Sequence, residues 1–276
     1  MTARFETRLR AADPEFRELI DRIPRLPTPP LPPDWLRFEM LERYELLRQA
    51  PCPASKTVLE VGSGAHAIAT VPLAHWVGDE GRVVAVERSR WGQFRTVVAA
   101  SRLEDRVWPV AGDARRLPLR SDSAGLAVCL HGVRSLGGDR NIGQVLGEML
   151  RVSPRILLAE SLPIARTNAQ RAHLAMYNLR EEVFAATAGS RDDLHYLSLD
   201  RLVALVERAG GVVERAEILD VDLPHFLAYF PRAMAEAIPD PSHREELLRR
   251  WDEADAMRAR FGEDHPPVGV VAARRV

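Results

Sequence analysis

Cysteine, lysine and long apolar runs are all scarce in this chain of 276 residues. Two cysteines, Cys52 and Cys129, far apart in the sequence do not predict a disulfide framework, and no signal-like apolar segment opens the sequence, so we expect a cytoplasmic protein. No apolar stretch approaches the roughly 18 residues of a membrane-spanning helix, so no membrane partner is expected. Arginine replaces lysine almost throughout, and 38 basic against 39 acidic residues leave a net charge of −1. This balance disfavours nucleic acid as a partner.

Residues 1–50 are predicted to form an N-terminal helical cap. Asp13 stands before Pro14 as the N-cap of one amphipathic helix, and Asp34 is placed to cap another. Between these helices, six prolines within residues 23–34 deny helical hydrogen bonds and predict an extended strap. Residues 51–276 then have the length of one larger domain.

From Thr57 onward, short apolar runs alternate with amphipathic segments, which is the pattern of βα units in a parallel sheet. Strands are predicted at 57–61, 82–87, 107–111, 125–130, 155–160, 212–221 and 268–272. Helices are predicted near 65–77, 90–101, 139–151, 164–188 and 241–261, with a further helix capped by Ser198. The segment 161–197 is interpreted as a helical lid inserted beside the strand ends.

A glycine turn follows the first predicted strand. Gly62, Ser63 and Gly64 begin a Gly-x-Gly-x-x-Ala sequence in which the backbone can approach a ligand closely. Glu60 lies two residues before the first glycine, where its charge would repel a dinucleotide pyrophosphate and attract an ammonium group. S-adenosylmethionine carries an ammonium and a sulfonium and no phosphate. Glu60 therefore favours S-adenosylmethionine over a dinucleotide.

Two more acids follow the next two strands. Glu87 comes 23 residues after Gly64, about the separation that places a carboxylate on ribose hydroxyls. Asp113 follows Gly112 after the third strand, where it can accept a hydrogen bond from an adenine amino group. Because the carboxyl ends of parallel strands share one sheet edge, these acids should converge on one nucleoside-shaped cleft.

Residues 57–160 resemble class I S-adenosylmethionine-dependent methyltransferases, in the broad type 11-like group that includes ubiquinone and menaquinone biosynthesis enzymes. The matching segments are 58–64, 84–87, 112–114 with 117–119, and 146–152. The resemblance implies an enzyme with S-adenosylmethionine as cofactor, and a Rossmann-like α/β fold whose seven-stranded, mostly parallel sheet has an antiparallel last strand. The sequence departs from the family at His66, which replaces the usual third glycine, and at 153–155, where Ser-Pro-Arg replaces Lys-Pro-Gly-Gly.

The resemblance also implies a set of site residues. The cofactor-binding candidates are Glu60, Gly62, Ser63, Gly64, Glu87, Arg88, Gly112, Asp113, Ala114, His131 and Gly132. His131 is also the catalytic candidate, as a base toward an acceptor hydroxyl. A structural alternative stays open for each polar member, because strand-end acids often cap helices and a strand-end histidine is often only hydrogen-bonded.

Other polar residues give weaker indications. Arg134 could bind an acidic acceptor, but in so arginine-rich a chain we expect a solvated surface position. Four residues of the predicted lid could line the acceptor pocket: His173, Tyr177, His195 and Tyr196. No metal site is predicted, since the histidines are scattered and neither Cys-x-x-Cys nor His-Glu-x-x-His occurs.

The expected function is methyl transfer to oxygen or carbon of a small or medium metabolite by in-line displacement. The fourth predicted strand is not followed by the Asn/Asp-Pro-Pro-Tyr sequence of many methyltransferases that act on nucleic acids. A homodimer is compatible with these expectations. Two alternatives remain open: a non-catalytic protein that binds S-adenosylmethionine, and an NAD-dependent oxidoreductase.

Overall fold

The computed structural model describes residues 2–25, 34–50, 57–89, 91–188, 196–225 and 230–276. Much of the proline-rich strap, together with Cys52 and His195, lies outside these described residues. None of the described helices is both long and apolar enough to cross a membrane.

Seven strands form a single sheet. They are β1 (Thr57–Val61), β2 (Arg82–Glu87), β3 (Val107–Ala111), β4 (Leu126–Leu130), β5 (Arg155–Ser161), β6 (Gly211–Leu219) and β7 (Val268–Arg275). The strand order is β3-β2-β1-β4-β5-β7-β6, and β7 runs antiparallel to both of its neighbours. The first five strands pair in parallel. The predicted Rossmann-like sheet with an antiparallel last strand is thus confirmed.

Ten α-helices surround this sheet within the described residues. They are α1 (Thr2–Ala11), α2 (Pro14–Arg22), α3 (Trp35–Gln49), α4 (Thr70–Trp76), α5 (Trp91–Ala100), α6 (Gly138–Val152), α7 (Asn168–Ala188), α8 (Leu199–Arg208), α9 (Arg232–Glu236) and α10 (Pro241–Phe261). A short 3-10 turn, Val133–Leu136, precedes α6.

Alternation along the central strands produces two cores. Val58 packs with the N-terminal helices, whereas its neighbour Leu59 packs on the opposite face with α6 and α8. Successive side chains of a strand point to opposite faces, so each central strand serves both cores. Most strand residues of β1, β4 and β5 are buried as a result. This burial explains why short apolar runs in the sequence located the strands.

The N-terminal helices begin differently from one another. Asp13 caps α2 as predicted, because its carboxylate accepts a hydrogen bond from the backbone N–H of Phe16 at 2.8 Å. Asp34 precedes α3, but its side chain makes no capping hydrogen bond, so that expectation was wrong. Its carboxylate instead lies 3.1 Å from the guanidinium of Arg25, which competes for the same oxygen.

The helix after β1 is shorter than the predicted 65–77. Residues 65–69 form turns, and α4 begins only at Thr70. Ala67 lies in this stretch with φ of 52°, a left-handed conformation that interrupts a helix of L-residues. Residues 65–69, between the glycine turn and α4, therefore form a loop that follows the end of β1.

A third core lies away from the sheet, between α7 and the C-terminal helices. Met176 and Val183 of α7 pack against Leu247 and Trp251 of α10, with α9 alongside. The predicted lid segment thus contains a long helix, as expected, but its partner is the C-terminal helix. The lid and domain boundaries predicted from the sequence remain predictions.

Candidate functional site

A cavity of about 450 Å³ lies at the carboxyl ends of β1, β2, β3 and β4. Strand order reverses between β1 and β4, and ligands of open α/β sheets bind at such a reversal. The lining residues are Gly62, Gly64, Val86, Glu87, Arg88, Gly112, Asp113, Ala114, Arg115, His131, Gly132, Ser135, Leu136, Gly137 and Asn141. Nine of the eleven predicted cofactor residues are in this set. The fold brings them together from segments that are far apart in the chain.

Gly62 and Gly64 form the floor of the cavity beside β1. Their φ angles are 77° and 67°, in the left-handed region that favours glycine. A Cβ atom added to either glycine would meet no other atom within 4 Å. Both positions therefore need glycine for the backbone conformation, and the space in front of them is open to a ligand.

Glu60 and Ser63 are the two predicted cofactor residues that do not line the cavity. Both are buried, Glu60 at the end of β1 and Ser63 in the glycine turn. Thr70 donates a hydrogen bond of 2.6 Å to Oε2 of Glu60, while Oε1 of Glu60 and Oγ of Ser63 have no partner among the described residues. The Glu60 carboxylate thus lies directly behind the turn with one oxygen unsatisfied.

The electrostatics of Glu60 fit a cationic ligand. Burial raises the pKa of its carboxyl to about 8, the Thr70 hydrogen bond opposes this shift, and the negative charge of Glu87 adds to it. A buried acceptor without a donor is costly, and nearby positive charge would relieve that cost. The amino group of S-adenosylmethionine supplies both a donor and a positive charge, whereas a pyrophosphate supplies neither. The residues present therefore fit S-adenosylmethionine.

Glu87 ties the end of β2 to the glycine turn. The N–H of Gly64 donates to Oε2 of Glu87 at 3.2 Å, and the N–H of Arg88 donates to Oε1 at 2.7 Å. A carboxylate has more acceptor sites than these two donors fill, so ribose hydroxyls can still bind there. Glu87 can accordingly set the turn and hold a nucleoside at the same time.

Asp113 lies at the cavity mouth and is paired with Arg115. The guanidinium and backbone N–H of Arg115 donate to the Asp113 carboxylate at 2.6–3.1 Å. These hydrogen bonds lower the pKa of Asp113 to about 2, so it is ionised at neutral pH. The predicted adenine contact would have to share this carboxylate with Arg115.

Gly112 is glycine for a different reason from the two glycines of the turn. A Cβ at position 112 would lie 2.7 Å from Cδ of Pro118 and 3.4 Å from Cγ1 of Val86. The similarity of residues 112–114 and 117–119 to the methyltransferase family therefore has a packing explanation. The proline ring fills the space that glycine leaves free. The wall of the cavity depends on this contact.

We expect Gly112→Ala to lower the free energy of unfolding by about 1–3 kcal/mol, because the methyl group overpacks the rigid ring of Pro118 and the Val86 side chain. Gly143→Ala is the matched control. It lies inside α6 with nothing within 4 Å of its added Cβ, so alanine should stabilise the helix by roughly 0.5–1 kcal/mol. Urea denaturation of the two variants checks this, and equal stabilities would contradict the packing argument.

A clamp from α6 holds the segment after Asp113. Glu148 accepts a hydrogen bond of 2.8 Å from the N–H of Leu117, and Arg151 donates to the carbonyl oxygens of Leu117 and Leu119. Arg151 also pairs with Glu148 at 2.7 Å. The similarity of residues 146–152 to the family thus corresponds to a contact that fixes the cavity wall.

His131 and Gly132 follow β4 and line the cavity as predicted. The φ of His131 is 55°, a left-handed conformation that a non-glycine residue keeps only where its surroundings hold it. Its Nε2 lies 3.0 Å from Oε1 of Glu42, and its Nδ1 lies 3.1 Å from Oγ of Ser161. Burial lowers the pKa of His131 to about 3, against the raising effect of Glu42. The ring is neutral, and protein groups occupy both of its nitrogens.

A buried charged cluster on α3 supports His131 from behind. Arg43 donates to Glu39 at 2.8 Å and to Glu42 at 2.6 Å, and all three side chains are buried. His225 approaches Oε1 of Glu39 at 2.7 Å, and His265 approaches Oε1 of Glu42 at 3.5 Å. This cluster was not predicted from the sequence, because charged residues on a helix resemble a solvated face. Apolar residues occur on all sides of α3 and leave no continuous polar face. This pattern is the signal that could have revealed the cluster.

Only 14% of the Arg134 side chain is exposed, so the expected solvated surface position was wrong. Its guanidinium lies over the Tyr196 ring at 4.8 Å and the Tyr177 ring at 5.4 Å, and 3.6 Å from a carboxylate oxygen of Glu160. Aromatic faces and a buried carboxylate stabilise a desolvated guanidinium. Its position among aromatic rings explains why an arginine count could not place it.

The remaining candidates from the lid segment form a buried aromatic group. The rings of Tyr177 and Tyr196 stack at 4.1 Å, and Nε2 of His173 lies 3.1 Å from the hydroxyl of Tyr196. His173 also lies 4.5 Å from the ring of His225. These residues connect the lid helix to the polar cluster around His131. Their predicted role in acceptor binding remains a prediction.

Several solved structures share this fold at low sequence identity. A cyclopropane-fatty-acyl-phospholipid synthase-like protein from Lactobacillus casei ATCC 334 aligns with a TM-score of 0.72 and 15% identity, over 98% of this chain and 99% of that chain. A SAM-dependent methyltransferase from Aquifex aeolicus aligns with a TM-score of 0.52 and 16% identity, over 87% of this chain and 93% of that chain. A [4+2]-cyclase aligns with a TM-score of 0.52 and 15% identity, over 85% and 80%.

No protein-family model and no curated protein matches the sequence. At such identities the alignments establish the α/β fold and nothing about the reaction, as the presence of a cyclase among the neighbours illustrates. The chemistry must be argued from the residues of the cavity.

Proposed function

We propose that this protein transfers a methyl group from S-adenosylmethionine to oxygen or carbon of a small or medium metabolite. The observation that carries the proposal is the buried Glu60 carboxylate, which has an unsatisfied oxygen directly behind the glycine turn. A dinucleotide would bring phosphate charge to this turn, whereas S-adenosylmethionine brings a cationic amine. The methyltransferase from Aquifex aeolicus, which has the same fold, adds support from outside the chain.

The proposed cofactor site uses three strand ends. Glu60 and the backbone of Gly62 and Gly64 would hold the amino-acid end, Glu87 would accept hydrogen bonds from the ribose hydroxyls, and Asp113 would accept one from the adenine amino group. Arg88 and Ala114, which line the cavity, would pack beside the nucleoside. Ser63 has an unpaired buried hydroxyl that can turn toward a bound carboxylate.

Bound S-adenosylmethionine supplies a methyl group already activated by its attachment to a positively charged sulfur. The protein's contribution is then to align an acceptor with that carbon and to exclude water. His131 and Gly132 line the cavity beside the polar cluster, and the strained backbone at His131 fixes the ring in place. The neutral His131 ring is a weak base with both nitrogens engaged, so we assign it a positioning role ahead of proton transfer.

The proposed acceptor binds on the side of the cavity that faces the helical cap and the lid. A net charge of −1 gives no field for a polyanion, which favours a metabolite. The aromatic group of the lid segment, which reaches His131 through the rings of His225 and His265, would suit an acceptor with polar substituents on an apolar body. The identity of this acceptor is the subject of the assay below.

Isothermal titration calorimetry of the full chain with S-adenosylmethionine and with NAD tests the proposal. We expect one equivalent of S-adenosylmethionine to bind at least about 100-fold more tightly than NAD, since only the former pairs with Glu60. A metabolite panel with radiolabelled methyl groups then reports transfer. Preferential binding of NAD would favour an oxidoreductase. Cofactor binding without transfer to any metabolite would favour a binding protein, and tight association with tRNA or rRNA would overturn the metabolite acceptor.

A further inference from the structure

Three ligand-type atoms converge behind the cavity wall. They are a carboxylate oxygen of Glu42 on α3 and ring nitrogens of His131, after β4, and His265, before β7, and they all lie within 4.8 Å of one another. The exposed fraction of each side chain is 4% or less. The residues are separated by 89 and 134 positions in the sequence, so the motif search that predicted no metal site could not have found them.

The hydrogen bonding of His265 leaves one nitrogen without a partner. Its Nδ1 lies 2.7 Å from the carbonyl oxygen of Pro266, which can only accept, so Nδ1 carries the ring proton. In the neutral ring Nε2 is then a lone pair, and it faces Oε1 of Glu42 at 3.5 Å. Nε2 has no hydrogen-bond partner among the described residues. Two acceptors that face each other in a buried site require something positive between them.

The spacing of the three atoms suits a small divalent metal ion. Bonds of about 2.0–2.1 Å in a tetrahedral site place neighbouring ligand atoms roughly 3.3 Å apart. Oε1 of Glu42 lies 3.0 Å from Nε2 of His131 and 3.5 Å from Nε2 of His265, on either side of that value. The third separation, between the two ring nitrogens, is at most 4.8 Å.

Each ligand also has a second contact that orients it. His265 donates from Nδ1 to Pro266, His131 can donate from Nδ1 to Ser161, and Arg43 holds Oε2 of Glu42 at 2.6 Å. Such outer contacts of metal-binding histidines fix the ring tautomer and orientation. To bind a metal ion through Nε2, the His131 ring would only have to shift its proton from Nε2 to Nδ1.

We propose that Glu42, His131 and His265 form a binding site for a divalent transition-metal ion of the Zn²⁺ type. Two imidazoles and one carboxylate favour Zn²⁺, Co²⁺ or Fe²⁺ over the oxygen-seeking Mg²⁺ and Ca²⁺. Because His131 also lines the cavity, the ion would lie next to the proposed methyl-acceptor region. The three protein ligands leave coordination positions for water or an acceptor oxygen. The metal site itself does not depend on the proposed methyl transfer.

The test begins with the full-length wild type, stripped with a chelator and titrated with Zn²⁺ by calorimetry and with Co²⁺ by visible absorption. We expect one equivalent of each ion and the intense absorption of a four-coordinate cobalt site. Glu42→Gln and His265→Gln should each weaken Zn²⁺ binding at least tenfold, a loss of about 1.4 kcal/mol or more. His173→Gln is the matched control: it is a buried histidine of the same group outside the ligand set, and it should bind Zn²⁺ as the wild type does.

Failure of the metal site is distinguishable from failure of the proposed function. Glu42→Gln and His265→Gln lie outside the predicted cofactor residues, so both should keep their affinity for S-adenosylmethionine. The site is refuted if the wild type takes up no stoichiometric ion, and NMR would then be expected to show His265 as an imidazolium paired with Glu42. Wild-type affinity in both variants would equally refute it. If a variant unfolds, the cobalt spectrum of the wild type decides alone, since its absence overturns the site.

Discussion

Glu60→Gln is expected to weaken S-adenosylmethionine binding about 10- to 100-fold, because the variant loses a charge-assisted hydrogen bond worth roughly 1.5–3 kcal/mol. The substitution preserves the shape of the side chain and its contact with Thr70. Calorimetry with the cofactor or its demethylated product measures the loss. Glu207→Gln, which removes an exposed carboxylate on α8, is the control and should bind like the wild type.

The same substitution should make the ligand-free protein more stable at alkaline pH. The folded-state pKa of Glu60 is raised to about 8 from an ordinary value of 4.5, so the folded state keeps a proton that the unfolded state has already lost. The contribution of Glu60 to stability is then complete below pH 4.5 and is lost as the pH rises through 8. Glutamine does not titrate. We expect the free energy of unfolding of Glu60→Gln to exceed that of the wild type by about 2–3 kcal/mol at pH ~9.

Proton release offers an independent check on this reasoning. Below pH 8 the free protein holds a proton on Glu60 that a cationic ligand would displace. Calorimetry in two buffers with different ionisation enthalpies should therefore show release of up to one proton by the wild type and less by Glu60→Gln. Unchanged affinity of the variant would remove the basis for the proposed cofactor.

Arg43→Met is expected to lower the free energy of unfolding by about 3–5 kcal/mol, the usual cost of removing one partner from a buried ion pair. Arg43 is 5% exposed and bonds two carboxylates that are themselves buried, Glu39 and Glu42. Without the guanidinium these carboxylates face each other in a desolvated environment. Urea denaturation in the presence of a chelator measures the effect without interference from metal binding.

Arg48→Met supplies the matched control on the same helix. The Arg48 side chain is half exposed and lies 3.5 Å from Glu45, so its loss should cost less than about 1 kcal/mol. The triple variant Glu39→Gln, Glu42→Gln, Arg43→Met should recover most of the lost stability, since no charge is then left unpaired. Equal effects of Arg43→Met and Arg48→Met would show that the buried cluster contributes no more than a surface pair.

The sheet could be predicted from the sequence because its signals are local. The central strands are short apolar runs bounded by turn residues, and β1, β2 and β3 have the predicted bounds. The glycine turn and the acids at two strand ends follow directly from these bounds. The late start of α4 was not predictable in the same way, since it depends on the backbone angle at Ala67. The local sequence pattern thus predicted where the cavity lies, but it did not predict the backbone conformation between the glycine turn and α4.

The polar cluster was beyond sequence reasoning because its pairs are long-range. Glu42 meets residues 89 and 223 positions away, and the residues around Glu42 in the sequence do not identify these partners. Arg134 was likewise expected at the surface, because its aromatic partners lie in the lid segment and its own sequence neighbours do not reveal them. Tertiary packing decides which charged side chains are buried in a core. Neither the amino-acid composition nor the spacing of residues in the sequence predicts which these are.

Helix α3 packs with β1 residues in the same core and also carries the charged cluster that touches His131. Helices α1 to α3 are accordingly part of the folded core: a variant that started at β1 would keep the glycine turn but would expose the sheet face that these helices cover, and His131 would lose its contact with Glu42. A substitution on α3 made to alter the proposed acceptor site would therefore also alter the stability of the fold, because α3 both packs in the core and contacts His131.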